Sequence, residues 1–224
     1  MSATRLLVLG VVRGFGRAHG YLIRAELVRW GAESWATVKW GSLYHALRRL
    51  AEEGLLTATG PDEIAGRTDY EITARGEAEF LRLLKAALRE PDPRPDTLAA
   101  GLSLLPALSR AEAIELLEIR HRTLRATQHE SRHQHDRWDA APHLRELAGL
   151  WQHTAAGGAL WTERMIERLR AGSHLMAGEP GAVFGTPGAW PSPDEDDQWA
   201  ERESGQGVTP RGPGDYSPLP RSSG

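Results

Sequence analysis

Six side chains between residues 39 and 49 carry a hydroxyl, an imidazole or a positive charge. They are Lys39, Ser42, Tyr44, His45, Arg48 and Arg49. Groups of this kind bind phosphate oxygens, and arginine also forms paired hydrogen bonds with the edge of guanine. The chemistry open to this stretch is therefore the binding of nucleic-acid phosphates and bases. The simpler alternative is a solvated helix face with an arginine pair, because charge runs are usually solvated surface.

A helix beginning near Trp40 is predicted to carry these groups. At 3.6 residues per turn, Leu43, Leu47 and Leu50 share one stripe, whereas the polar side chains project from other faces. Gly54 is expected to end the helix, since glycine readily adopts the C-terminal left-handed conformation. One face of the helix therefore packs, and the other is left to bind a partner.

Two short strands are predicted to follow this helix. The first begins at Leu55, and the second, residues 69–72, alternates polar and apolar side chains as a half-buried strand does. The polar bend over residues 61–67 includes Arg67, a candidate contact to phosphate or to the minor groove. A helix followed by such a hairpin is the outline of a winged helix. Thr73 is then expected to cap a helix that runs to about Arg89.

The chain begins with an apolar run over residues 4–13, followed by glycines at positions 14, 16 and 20. A strand and a glycine turn would suggest a dinucleotide site, but the spacing differs from G-x-G-x-x-G and no second strand ends in an acidic residue about 20 residues on. We therefore expect a buried first helix, a loop, and a second helix over residues 21–30. Residues 33–39 are expected to form a connector to the helix at Trp40.

Four short motifs follow one another along this part of the chain. They are Leu6-Leu7-Val8-Leu9-Gly10, His19-Gly20-Tyr21-x-Ile23, Trp40-Gly41-Ser42-Leu43-Tyr44-x-Ala46-Leu47-x-x-Leu50-x-x-x-Gly54-Leu55-Leu56, and Gly66-Arg67-x-x-Tyr70-x-Ile72-Thr73-x-x-Gly76. In this order they resemble the PadR family of bacterial transcriptional regulators, over residues 4 to about 90. The resemblance implies a winged helix-turn-helix that binds DNA, followed by C-terminal helices that dimerise.

Two positions depart from the family pattern. His45 stands where the family often has proline, and Asp69 stands where it commonly has a basic residue. An anion beside a DNA groove weakens the attraction for phosphate. We therefore expect the second wing strand to contribute less to binding than Arg67.

The C-terminal half is predicted to be helical. A proline-rich linker and a short helix occupy residues 91–108, and the capping box Ser109-x-x-Glu112 opens a helix that runs to about Trp138. A last helix is expected from Pro142 to Arg170, and two long amphipathic helices without a covering element favour a homodimer. The residues predicted to form its interface are Ile114, Leu117, Leu124, Leu144, Trp151, Met165 and Leu169.

The C-terminal segment differs from the rest of the chain in charge and composition. Residues 173–224 hold 3 basic and 8 acidic side chains with many glycines and prolines, whereas residues 1–90 hold 13 basic and 11 acidic ones. We read residues 173–224 as a disordered acidic tail whose deletion leaves folding intact. The chain has no cysteine, which excludes disulfides and thiolate sites. No long apolar segment or signal peptide is evident, so a cytoplasmic protein without a membrane partner is expected.

Aromatic and histidine side chains suggest two further sites. By the resemblance, Trp138, Trp151 and Trp161 could bind a small aromatic effector between the two copies, although core or dimer packing is the more common role of such residues. His129 and His133 have helical spacing, but the spacing fixes only two ligands, so no metal or cofactor is predicted. No motif for catalysis is recognisable.

The fold class expected is mostly α with a small β-wing, with a winged helix-turn-helix over residues 1–90 and a helical dimerisation domain over residues 109–172. The function expected is that of a PadR-like repressor that binds a palindromic DNA operator as a homodimer and responds to an aromatic effector, not that of an enzyme. The alternative is a winged-helix module that binds another protein without specific DNA binding.

Overall fold

The structure, a computed structural model, describes residues 2–36, 40–60, 68–92, 95–137 and 142–191. Its helices are α1 (Ala3–Phe15), α2 (Gly20–Arg29), α3 (Ala32–Trp35), α4 (Trp40–Glu52), α5 (Ala74–Arg89), α6 (Pro95–Ser103), α7 (Arg110–Arg137) and α8 (Pro142–Arg170). Its strands are β1 (Arg17–His19), β2 (Leu56–Thr59) and β3 (Asp69–Ile72), and 3₁₀ turns occupy Leu105–Ala107 and Val183–Gly185. The predicted class, mostly α with a small β-wing, is confirmed. None of the helices in these ranges is long and apolar enough to cross a membrane.

The first helix, α1, is the centre of the N-terminal region. Its residues from Leu6 to Val12 are buried, and the helix contacts α2, α4, α5 and α6. The apolar run at the start of the chain is therefore a buried helix, and it is not the strand that a dinucleotide-binding fold requires.

The strands form an antiparallel sheet in the order β1-β3-β2. Leu56 of β2 pairs with Ile72 of β3, and on the other side of β3 Ala18 pairs with Tyr70. The β2–β3 hairpin is the predicted wing. Strand β1 occupies part of the segment expected to be a loop, because its few residues find their partners only in β3, some 50 positions later.

Local hydrogen bonds end and begin the helices as the sequence predicts. The amide of Leu55 donates to the carbonyl of Leu50 at 2.9 Å, and Gly54 has a φ of 70°, which is the Schellman arrangement at the end of α4. Thr73 Oγ1 accepts from the amide of Gly76 at 3.0 Å and caps α5. The expected connector over residues 33–39 is partly wrong, because α3 occupies its first residues.

Helices α7 and α8 pack as an antiparallel pair. Ser109 Oγ accepts from the amide of Glu112 at 3.3 Å at the start of α7, and Arg170 at the end of α8 pairs with Glu118 of α7 at 2.6 Å. Small residues in α8 allow close approach, since a Cβ atom on Gly158 would lie 3.3 Å from Leu124 Cδ1. The domain boundaries after residues 90, 108 and 172 stay predictions.

Most residues predicted for the dimer interface are buried within the protomer. Those that are at most 8% exposed are Leu117, Leu124, Met165 and Leu169. The antiparallel pair uses this stripe for its own packing, so these four side chains are covered without a second copy. Ile114 and Leu144 are half-buried. Other positions of α8 leave large apolar side chains in solvent. Leu147, Leu150 and Trp151 share one face of the helix, whereas Leu160 projects from a different face.

Residues 173–190, here called the C-terminal strap, differ from the disordered tail that we expected from residue 173 onward. The strap returns to the first helix, where the amide of Trp190 donates to the carbonyl of Gly14 at 3.2 Å. Met176 is fully buried and Trp190 is 8% exposed. Scattered anchors of this kind leave no periodic pattern in the sequence. Residues 192–224 lie outside the described residues.

Candidate nucleic-acid interface

Helix α4 separates a packing face from an exposed face. Leu43 and Leu47 are fully buried and Leu50 is 2% exposed, so the helix is fixed against α1, α2 and β2. The polar side chains that the sequence assigned to DNA binding are exposed, and these are Ser42, Tyr44, His45, Arg48 and Arg49. Lys39 lies outside the described residues.

Arg49 belongs to an ion-pair network that connects α4 to α1. Its Nε donates to Glu53 Oε1 at 3.0 Å, while Arg5 Nη2 donates to Glu53 Oε2 at 2.5 Å. Arg5 Nε also lies 3.5 Å from Glu79 Oε1 on α5. The hydrogen bond from Arg5 lowers the pKa of Glu53, and burial acts in the opposite direction. Glu53 therefore stays charged near neutral pH and competes with any phosphate for Arg49.

Arg48 faces the wing instead. Tyr70 of β3 is 8% exposed, and burial raises the pKa of its phenol, whereas the nearby charge of Arg48 lowers it. Within the described ranges, the ion pairs on this side of α4 use Arg49 and leave Arg48 without a carboxylate. Of the two arginines, Arg48 is therefore the one whose positive charge is not paired with a carboxylate among the described residues.

The His19-Gly20-Tyr21 motif brings the start of α2 next to the exposed face of α4. His19 Nδ1 accepts from the amide of Leu22 at 3.2 Å and so caps α2. A Cβ atom on Gly20 would lie 2.6 Å from Tyr44 Cε1, so glycine makes room for the ring of Tyr44. Tyr21 is 41% exposed and adds a second phenol to this surface.

The acidic side chains of β3 face a cation on the neighbouring strand. Arg17 Nε lies 3.5 Å from Asp69 Oδ2 and 3.3 Å from Glu71 Oε1, and the Arg17 side chain is 53% exposed. The repulsion expected between Asp69 and DNA is therefore partly offset by Arg17, since opposite charges at this distance attract each other. Arg67 lies outside the described residues.

The described residues thus place hydroxyl, imidazole and guanidinium donors together on one helix face. This arrangement suits hydrogen bonds to phosphates and to base edges in a major groove. Sequence reasoning missed Arg17, Tyr21 and Glu53. The spacing of Arg49 and Glu53 at i and i+4 could have revealed their pairing, whereas the role of Arg17 depends on the β1–β3 pairing.

The tryptophans predicted to bind an effector do not form one site within the described protomer. Trp151 is 42% exposed, and Trp161 packs partly buried against the core. They lie ten positions apart on α8, which corresponds to about 15 Å along the helix axis. Trp138 lies outside the described residues. An open depression of about 440 Å³ near the end of α8 is lined by Arg164, Glu167, Arg168, Ala171 and Ser173, a polar lining unlike that of an aromatic site.

His129 and His133 lie one turn apart on α7, with ring centroids 4.5 Å apart. Across the described ranges, no group of three or more histidine, cysteine, aspartate or glutamate side chains is placed to hold a metal ion. Two imidazoles fall short of the three or four ligands that a zinc site needs.

The N-terminal region matches a known protein family. Residues 8–82 match the family described as the transcriptional regulator PadR-like family. Similar solved structures include Bacillus subtilis PadR in complex with operator DNA, which is 19% identical with a TM-score of 0.36 over 75% of this chain and 98% of that chain. Bacillus subtilis PadR in complex with p-coumaric acid is 18% identical with a TM-score of 0.31, over 75% and 99% of the chains. The PadR-like transcriptional regulator BC1756 from Bacillus cereus is 17% identical with a TM-score of 0.32, over the same shares. No curated protein sequence matches the chain.

Proposed function

We propose that the protein binds operator DNA as a homodimer and represses transcription, on the premise that residues 8–82, which match the transcriptional regulator PadR-like family, act as a domain of that family. The observation that carries the proposal is the division of α4, whose leucine face is buried while its polar face is open. The open face supplies Ser42 and Tyr44 for phosphates, and His45, Arg48 and Arg49 for base edges or phosphates. Lys39 and Arg67 are proposed as flanking phosphate contacts.

A second copy is proposed to cover the open apolar stripe of α8. This stripe comprises Leu147, Leu150 and Trp151, whose i, i+3 and i+4 spacing places them on one face and whose exposures are 37%, 62% and 42%. Large apolar side chains in a row on a long helix favour burial against another copy. A two-fold dimer would present two α4 helices to half-sites about 34 Å apart, so the operator would be palindromic.

A small aromatic effector is proposed to bind where the two copies meet. Trp151 lies on the stripe proposed for dimerisation and keeps 42% of its surface exposed in one protomer, so a flat molecule could stack on it. Trp138 and Trp161 are the other proposed contacts. Binding there would change the separation of the two α4 helices and thereby the affinity for a palindrome.

DNA binding is best tested by fluorescence anisotropy with a labelled fragment from the region upstream of the protein's own gene. Specific binding should fall steeply with salt, because phosphate contacts release counterions, and Arg48→Ala should lower the logarithmic salt slope by about one if Arg48 contacts a phosphate. Arg125→Ala on α7 removes the same charge from an exposed helix face and serves as the matched control. A chain that binds all DNA fragments equally weakly would instead support the protein-interaction module.

A further inference from the structure

The C-terminal strap is tied to the structure at two anchors. At the first, Arg110 Nε and Nη2 each lie 2.7 Å from a carboxylate oxygen of Glu179, and Arg110 also donates to the carbonyls of Leu169 and His174. The amide of Ala177 donates to the carbonyl of Pro106 at 2.9 Å. This anchor fixes the strap to the start of α7 and to the 3₁₀ turn before it.

The second anchor is the ring of Trp190, which lies at the end of α1. A Cβ atom on Gly14 would lie 2.3 Å from the ring carbons of Trp190, so the ring sits directly on the backbone of α1. The strap also bonds the helix end, since Gly188 donates to the carbonyl of Arg13 at 3.0 Å and Trp190 donates to that of Gly14. These carbonyls belong to the last turn of α1, and the carbonyl of Arg13 also accepts from the C-cap amide of Gly16 at 3.2 Å.

Trp190 connects this anchor to the helix-turn-helix. Its ring centroid lies 5.6 Å from that of Trp30, the residue that follows α2. Trp30 Nε1 donates to Glu26 Oε1 at 2.8 Å, and Glu26 is 4% exposed. Trp35 Nε1 donates to the carbonyl of Trp30 at 2.9 Å. The ring of Trp190 thus supports the residue at which α2 turns toward α3, and α3 precedes α4 in the chain.

We propose that Trp190 is a positioning residue for the DNA interface: by packing on Gly14 and Trp30, it holds the turn between α2 and α3, and because α2 also packs against α4, it thereby sets the orientation of α4. The inference rests on the proposed function, because it assigns the strap a role in operator binding. Trp190 makes no contact with DNA in this scheme. It acts through Trp30, whose carbonyl accepts the hydrogen bond from Trp35 that closes the turn between α2 and α3.

The test compares full-length variants by operator anisotropy and by amide hydrogen exchange. Trp190→Ala should weaken operator binding about tenfold, the scale of coupling through packed networks, and should speed exchange at the turn amides of Gly31, Ser34 and Ala36. Trp190→Phe keeps a ring against Trp30 and should restore both readouts. Leu175→Ala removes a strap side chain that is 56% exposed and should change neither.

A second variant, Gly14→Ala, disturbs the contact between Gly14 and Trp190 by changing the α1 residue. It tests the inference even if Trp190→Ala does not fold. Alanine favours helix more than glycine does, so this change keeps α1 but displaces the ring, and it should weaken operator binding by a similar factor. In a chain that carries Trp190→Ala it should have no further effect. Equal operator affinity of folded Trp190→Ala and Leu175→Ala, or unchanged exchange at the turn, would overturn the inference. If the unaltered chain does not bind the operator fragment, the proposed function is refuted. The exchange rates of Gly31, Ser34 and Ala36 would then still show whether Trp190 holds the turn between α2 and α3.

Discussion

Arg48 and Arg49 are neighbours on α4, yet the structure predicts that they contribute unequally to DNA binding. Arg49 is paired with Glu53 at 3.0 Å, and an exposed pair of this kind is worth about 0.2–1 kcal/mol. Arg49 must give up that pair to reach DNA, whereas Arg48 has no described carboxylate to leave. A bidentate contact between arginine and guanine is worth about 1–3 kcal/mol.

Arg48→Ala should therefore weaken operator binding by roughly 5- to 150-fold, since 1.4 kcal/mol corresponds to a factor of ten. Arg49→Ala should cost less by a factor of about 1.4 to 5, which is the energy of its pair with Glu53. Glu53→Gln removes the competing charge and should tighten binding by a similar factor. In that variant Arg5 loses the charged carboxylate with which it pairs at 2.5 Å. The melting temperature of the Glu53→Gln variant should therefore fall slightly.

The assay is anisotropy titration of the two arginine variants, Glu53→Gln and the double variant Arg49→Ala with Glu53→Gln. In the cycle, Arg49→Ala should cost more in the Glu53→Gln background than in the unaltered chain. Melting curves establish that each variant is folded at the assay temperature. The reasoning is refuted if Arg49→Ala costs as much as Arg48→Ala while Glu53→Gln fails to tighten binding.

Three further predictions concern stability and assembly. Gly76→Ala should lower the free energy of unfolding by about 1–3 kcal/mol in urea denaturation, because a Cβ atom there would lie 2.0 Å from the carbonyl oxygen of Leu55; an unchanged midpoint would contradict this. Leu150→Glu should yield a folded monomer in sedimentation experiments, since this side chain is 62% exposed in one protomer, and a persistent dimer would place the interface elsewhere. The hydrogen bond from Arg82 lowers the pKa of Glu79 from 4.5, so its stabilisation is present above that pH and is lost as the pH falls through the folded-state pKa. Glu79→Gln should accordingly lower the melting temperature at pH 7 and have a smaller effect at pH 3.

Local patterns in the sequence were sufficient to predict α4 and its surroundings. The leucine stripe of α4 defines its buried face because helical periodicity is a property of neighbouring residues. The ends at Gly54 and Thr73 were also predictable, since each is set by hydrogen bonds within a few residues. These features fix which side chains of α4 are exposed, and therefore most of the candidate interface.

Features that depend on distant partners were not predictable in the same way. The stripe of Leu117, Leu124, Met165 and Leu169 reads as an interface, but a stripe cannot say whether its partner is the next helix or a second copy. The exposed stripe at Leu150 became visible only when the antiparallel packing of α7 and α8 was known. The C-terminal strap was missed for a related reason, since isolated anchors such as Trp190 produce no period.

The glycines at positions 14, 16 and 20 show how one sequence pattern can arise from several packing requirements. Gly14 receives the ring of Trp190, and Gly20 receives the ring of Tyr44 from α4. Gly16 has a φ of 74°, and a Cβ atom on it would lie 3.2 Å from Gly188 Cα. The pattern that resembles a nucleotide loop therefore marks the segment where the strap contacts the end of α1 and α4 contacts the start of α2. Because both contacts fall within residues 14–20, we expect a change in strap packing to reach the exposed face of α4 through this segment.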